Sequence, residues 1–287
     1  MPRRILKDDS REAFSNFPNT IDESDLISHF LLTPDDLEQV RLNRTDAQRI
    51  GFAVLLCGLR YLGFFPNEID SVPDNVIQYL AEQLACKPQD LSKYGQREAT
   101  RGEHQNVIMR YLDFRRFKED ETLMLFQWLS QRALENDRPS ILLQQASEWL
   151  YKQRIIRPGI TTLEELVLNS RERAHQLTYE RIAQSLDAEL EKHLDHLLTP
   201  ASELGSTPLI WLRRPAQGYR ATDILQDLQK LDFVYAWPIG EWQLTQLPPA
   251  RIRHLVQIAR RSSNQALELK VAQERYPLLM AFMSDIR

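Results

Sequence analysis

The sequence predicts an all-α protein built from two helical parts, on three observations. Glycine is scarce, at nine of 287 residues. Leu, Glu, Gln, Arg and Ala are abundant, and no Asn-Gly or Asp-Gly hairpin turn occurs. At 43% hydrophobic the chain is long enough for two ordinary cores, since domains commonly run to roughly 100–200 residues.

Each element has a local reason. Ile5 to Phe30 reads as an arm with a short helix. Thr33-Pro34-Asp35-Asp36 then starts a helix that ends near Asn43: a capping hydroxyl, proline in the first turn, and acids at the positive end of the dipole. Thr45 and Gln48 have capping-box spacing and open the next helix, which runs to about Tyr61. Its residues from Ile50 to Leu62 are apolar around most of the circumference, as in a helix central to a domain. Pro66 to Pro73 is a loop, and Asp74 opens a helix through Leu84. Cys86-Lys87-Pro88 breaks it, a short helical turn covers Leu91 to Tyr94, and Thr100 with Glu103 caps a helix from Arg101 to Leu112.

Helices from Glu121 to Asn136 and Arg138 to Gln153 follow, and Pro158-Gly159 punctuates the chain. Thr162 and Glu165 cap the first of two long amphipathic helices reaching Leu198. The boundary is expected within Arg154 to Thr161, giving domains 1–153 and 154–287. Thr199 to Tyr219 reads as a loop holding Trp211 and two arginines. Helices from Ala221 to Leu231 and Ala250 to Arg261 come after it.

Several function classes lack support. Cys57 and Cys86 have no CxxC spacing, so neither a disulfide framework nor a zinc site is indicated, and a reducing, cytoplasmic setting fits. The N-terminus lacks the apolar run of a secretory signal, and Ile50 to Leu62 is shorter than the ~20 residues that cross a bilayer. There is no phosphate-binding loop, dinucleotide fingerprint or nucleophile elbow. His193-x-x-His196 lacks a third metal ligand of clear spacing, and the acid pairs Asp35-Asp36 and Glu164-Glu165 lie at helix starts, where capping explains them. No catalysis, cofactor, metal or small-molecule substrate is expected.

The net charge of −4 conceals segregation. From Asp8 to Glu38 acids outnumber bases nine to one, whereas from Lys93 to Lys118 seven bases face three acids. The basic segment offers Lys93, Arg97, Arg101, His104, Gln105, Arg110, Arg115 and Arg116, a set suited to clamping phosphates with some base-edge contact. Arg44 and Arg49 lie at a helix start, where the dipole disfavours a cation unless an anion offsets it; DNA phosphate and the acidic arm are both candidates. Arg60, at the far end, suits the dipole and needs no ligand. A second strip, Arg251, Arg253, Arg260 and Arg261, has no acid among it and reads equally as a further DNA contact or a surface for an acidic partner segment. Ala81, Ala85 and Leu91 have helix-turn-helix spacing, which an ordinary helical hairpin also satisfies.

From Arg44 to Phe117 the chain resembles the N-terminal region of Tn-three family transposases, which are replicative bacterial enzymes. The matching residues are Arg49, Gly51-Phe52-Ala53, Leu59-Arg60-Tyr61, Val72-Pro73, Ala81-Glu82-Gln83-Leu84, Tyr94, Arg97, Thr100-Arg101 and Glu103-His104. The family's closing glycine is replaced by Asp113. The resemblance continues weakly through Leu150 to Leu166, Trp211-Leu212-Arg213 and Arg275 to Leu279. It implies recognition of terminal inverted repeats as double-stranded DNA, with strand transfer done by a metal-dependent acidic triad on a separate downstream domain. The expectation is a bacterial, nucleoid-associated DNA-recognition part with no catalysis of its own, its first domain carrying the helix-turn-helix-like element. The rival is a transposase-derived interaction protein that forms a homodimer or binds full-length transposase.

Overall fold

The computed structural model describes residues 4–66, 68–94, 98–215, 218, 220–237 and 247–286. Among them regular structure is helical, and pairing between extended segments is limited to the single bridges Arg115 with Ile155 and Ala201 with Ser206. The chain is all-α. It divides into two compact units, Met1–Leu129 with Arg138–Asn169, and Ser130–Asp137 with Ser170–Arg287.

The first unit contains α1 (Asp8–Ser15), α2 (Glu23–Asp25), α3 (Pro34–Arg41), α4 (Asp46–Leu62), α5 (Asp74–Leu84), α6 (Glu98–Tyr111) and α8 (Pro139–Lys152), with most of α7 (Glu119–Glu135) and the first part of α9 (Ile160–Gln184). α4 is its axis. The Thr45 hydroxyl accepts from the Gln48 N–H at 3.2 Å, every residue from Ile50 to Leu59 is buried, and Gly63 closes the helix at φ 75°. α3, α5, α6 and a 3-10 turn, Pro88–Lys93, pack around it. Gly51 is required by that packing, because a Cβ there would overlap the ring of Tyr94.

A buried ion pair joins three of these helices. Asp36 is fully buried and accepts both arms of the Arg60 guanidinium, at 2.8 and 2.6 Å, and the Tyr111 hydroxyl at 2.8 Å. It is also the third residue of the α3 capping box, accepting from the Thr33 N–H at 2.8 Å. Burial alone would raise its pKa; the hydrogen bonds from Arg60, Thr33 and Tyr111 overcome that and hold it at about 2. Arg60 therefore has a partner the sequence did not supply, and Asp36 is more than a helix-start acid.

The second unit contains α10 (Ala188–His196), α11 (Pro208–Arg213), α12 (Ala221–Tyr235), α13 (Pro249–Arg261), α14 (Asn264–Glu268) and α15 (Ala272–Ile286). Residues Tyr276 to Met283 of α15 are all buried and form its core with Leu255, Val256 and Ala259 of α13. Arg213 donates to the carbonyls of Ala259 and Ser262, capping the end of α13.

Three local expectations change, at the start of α6, after α5 and in the 199–219 segment. α6 begins at Glu98, so Thr100 lies inside it. The turn after α5 leads to a 3-10 segment, and Ala85 closes α5 at φ 52°, with the Cys86 N–H returning to the Ala81 carbonyl at 3.0 Å. The expected loop from Thr199 to Tyr219 contains α11, started by Thr207-Pro208 with the same chemistry as Thr33-Pro34. Asp113 takes φ 57°, the left-handed position for which the resembling family uses glycine, and aspartate is among the few residues that tolerate it. Around Gln153, Arg115 exchanges backbone hydrogen bonds with Arg154 and Ile156, at 2.8 and 2.9 Å, within the first compact unit.

Asp36→Asn leaves the half-buried Arg60 guanidinium without its counter-charge and is expected to lower the unfolding free energy by about 3 kcal/mol in urea titrations near neutral pH. The wild-type carboxyl titrates below its ordinary 3.8, so its contribution is complete above about pH 4 and is lost as pH falls towards 2. The gap between wild type and variant should narrow across that window.

Candidate nucleic-acid interface

Four exposed cations of the first unit, Arg110, Arg115, Arg116 and Lys118, gather where α6 ends and α7 begins. Arg110 and Arg116 are both exposed and both lean on Asn106: the Arg110 Nε–H donates to its carbonyl at 3.3 Å and an Arg116 Nη–H to its Oδ1 at 3.0 Å. The turn at Asp113 makes this possible by reversing the chain, so that residues past the helix end lie beside its last turn. Arg115 pairs with Glu121 at 3.1 Å, and Glu121 also accepts the Lys118 N–H at 3.0 Å to cap α7. The Lys118 ammonium is exposed and has no partner among the described residues. These side chains border an open groove of about 690 Å³ that Asp120 and Glu121 also enter.

Other expected contacts are engaged elsewhere. His104 is only 8% exposed; its Nδ1 meets the Tyr94 hydroxyl at 2.9 Å and its ring lies edge-on to Phe52. Burial lowers its pKa, so it is a neutral core residue at pH 7 rather than a surface cation. Arg101 is half-buried and donates to the Pro66 carbonyl. Arg49 is held by the Asn43 carbonyl and by Asp46 of its own first turn, both at 3.1 Å, which supplies the offsetting anion. Lys93 pairs with Asp90 at 2.9 Å, Gln105 is half-buried, and Arg44 is exposed. Arg97 lies outside the described residues. No acid of the N-terminal arm pairs with Arg110, Arg115 or Arg116 among the described residues.

In the second unit Arg251 is 3% exposed and belongs to the core. It donates to the Ala133 carbonyl and to His175 Nδ1 at 2.9 Å, and lies 3.8 Å from Asp137. Asp137, His175 and His254 lie close enough to share a metal ion. Two guanidiniums already contact this cluster: Arg171 binds Asp137 at 2.9 Å, and burial with the nearby Arg251 lowers the pKa of His175. The cluster is a charge network. Arg260 pairs with Asp285, while Arg253 and Arg261 are exposed with no described partner. His193 is accounted for by its own helix, through the Glu189 carbonyl at 2.8 Å, and Cys57 is buried, its thiol pushed up to about 12.

Two further cations, Lys118 and Arg154, lie near the groove. Lys118 closes the basic segment and was legible there. Arg154, stacked 5.5 Å over Phe114, reaches the site only through the bridge to Arg115, which no sequence pattern announces.

A family described as "Domain of unknown function (DUF4158)" matches residues 5–169, ending where the first compact unit ends. The transposase for transposon Tn1546 of Enterococcus faecium is 33% identical over 99% of this chain. Those for Tn501 of Pseudomonas aeruginosa and Tn21 of Escherichia coli are 31% and 30% identical over 90% and 99% of it. The chain spans 29%, 25% and 29% of the lengths of these three relatives.

Arg251→Met removes one member of a buried charged network, and should lower stability by about 3–5 kcal/mol in thermal or urea melts. Arg110→Gln and Arg253→Gln, at exposed positions, should stay within about 0.5 kcal/mol of wild type.

Proposed function

Because the chain belongs to the DUF4158 family and its relatives along nearly its whole length are transposases, we propose that it is the DNA-recognition part of a Tn-three family transposase, binding transposon terminal inverted repeats as duplex DNA. Strand transfer would belong to a different part of such an enzyme. The observation that carries the reading is the cluster of Arg110, Arg116 and Lys118, exposed on the rim of one groove in a protein of net charge −4. Two fork-shaped guanidiniums tethered to one asparagine present N–H groups at a fixed spacing, the arrangement that phosphate contacts require.

In this reading α6 presents the contact, because Pro88–Lys93, which follows the helix-turn-helix spacing, is a six-residue 3-10 turn, whereas α6 is a 14-residue helix with exposed polar positions. Arg115, paired to Glu121, would rearrange to join the contact. Arg253 and Arg261 would add an auxiliary contact from the second unit. His104 and Arg251 take no part.

A second reading, a protein that acts through dimerisation, draws on α12, where Ile224, Leu228, Leu231 and Tyr235 form an exposed apolar stripe at helical spacing. Light scattering on DNA-free protein separates the two, since dimerisation through that stripe needs no DNA.

Fluorescence anisotropy with inverted-repeat and scrambled duplexes across a salt series tests the main reading. Arg110→Gln, Arg116→Gln and Lys118→Gln should each weaken every duplex alike and flatten the log K against log salt slope by about one. Equal affinity of the wild type for both duplexes would remove specific recognition.

A further inference from the structure

A cavity of about 420 Å³ lies within the first unit, between the Phe64-Phe65 turn after α4, the side of α6 and the start of α9. Although acids outnumber bases in the chain as a whole, none among the described residues lines this cavity; its polar side chains there are Ser15, Gln105, Arg116 and Arg157. Arg157 is 9% exposed, with its guanidinium between the rings of Phe14 and Phe64 at 4.6 and 4.2 Å. One Nη–H donates to the Phe14 carbonyl at 2.6 Å, but Nε is buried with no hydrogen-bond partner. Burial pulls its pKa down to about 10, which leaves it charged at neutral pH. A cation so placed is costly until an anion completes it.

The wall adds to that field. α9 is 25 residues long, and its first residue, Ile160, lines the cavity. The first helical hydrogen bond of this turn runs from the Leu163 N–H to the Gly159 carbonyl, so the N–H groups before it lie at the positive end of the dipole. The nearby acid Glu164 is already engaged, accepting from Arg11 and from the N–H groups of Ile5 and Leu6. A Cβ on Gly159 would meet nothing within 4 Å, so the space beside the helix start is open. The rest of the lining is apolar, with the rings of Phe65 and Phe117 available to a flat body.

We propose that this cavity binds a nucleotide, its phosphate between Arg157, Arg116 and the first turn of α9, and its base against Phe65 and Phe117. Charge-assisted N–H···O bonds hold the phosphate, and base–aromatic stacking holds the base. The site goes beyond the duplex-binding reading, sharing Arg116 with it and otherwise using different residues. A free mononucleotide and a nucleotide swung out of a DNA strand present the same chemistry.

Isothermal titration of the full chain with deoxyadenosine monophosphate, with deoxyadenosine and with a trinucleotide tests this. Saturable one-to-one binding of the monophosphate is expected, at least tenfold weaker for deoxyadenosine and for Arg116→Gln. Arg157→Met removes a packed side chain and can unfold the protein, so Gly159→Leu, which fills open space, is the second variant; its melting temperature should hold and its monophosphate binding should vanish. Displacement of the monophosphate by the trinucleotide supports the site with DNA as its source, and its absence supports the site with a free nucleotide. No saturable monophosphate binding, or binding unchanged in both Arg116→Gln and Gly159→Leu, overturns the proposal. Duplex affinity of Gly159→Leu should stay within twofold of wild type, so failure of the cavity and failure of duplex recognition are read separately.

Discussion

The first unit depends on one buried carboxylate. Asp36 receives four hydrogen bonds, from Thr33 of its own capping box, from both arms of Arg60 on α4 and from Tyr111 at the end of α6. Hydrophobic contact would hold these helices together without fixing their rotation, because apolar burial has no direction. A fork-shaped ion pair does have one: Arg60 reaches both carboxylate oxygens in a narrow range of geometries. Tyr111 lies two residues before Asp113, so the hub sets where the chain reverses and thus where Arg115, Arg116 and Lys118 emerge.

The same economy governs the other arginines. Several end on backbone carbonyls rather than on solvent: Arg49 on Asn43, Arg101 on Pro66, Arg157 on Phe14, Arg213 on Ala259 and Ser262, Arg251 on Ala133. Each satisfies a carbonyl at a helix end or loop that would otherwise be left unpaired. Basic composition therefore overstates basic surface. Among the cations that stay exposed, Arg110 and Arg116 lie next to Asn106, a residue that carries no charge and directs both.

Much of the fold was legible in the sequence. Thr33-Pro34 and Thr45 mark helix starts by local chemistry, and the apolar run from Ile50 identifies the central helix because nothing else buries every face. Where reading failed, a contact distant in sequence had intervened. Arg60 seemed satisfied by the helix dipole, and only the fold brings Asp36 to it from 24 positions away. His104 and Arg251 lie in polar, basic contexts that suggest a surface, yet Tyr94 and His175, 10 and 76 positions away, bury them. The Thr207-Pro208 start carries the same local signal as Thr33-Pro34, but the arginines and prolines that follow it give the segment the composition of a loop. Ala85 fits helix-turn-helix spacing, but the property the fold uses is its left-handed backbone.

Native-state hydrogen exchange measures the hub most directly. α3 is only eight residues long and has little intrinsic stability, so its protection must come from the α4 and α6 contacts that Asp36 organises. At pH 6 the amides of Leu37 to Val40 should open with the same free energy as those in the middle of α4 and of α6. Exchange of the α3 amides near free-peptide rates, while α4 stays protected, would contradict the hub.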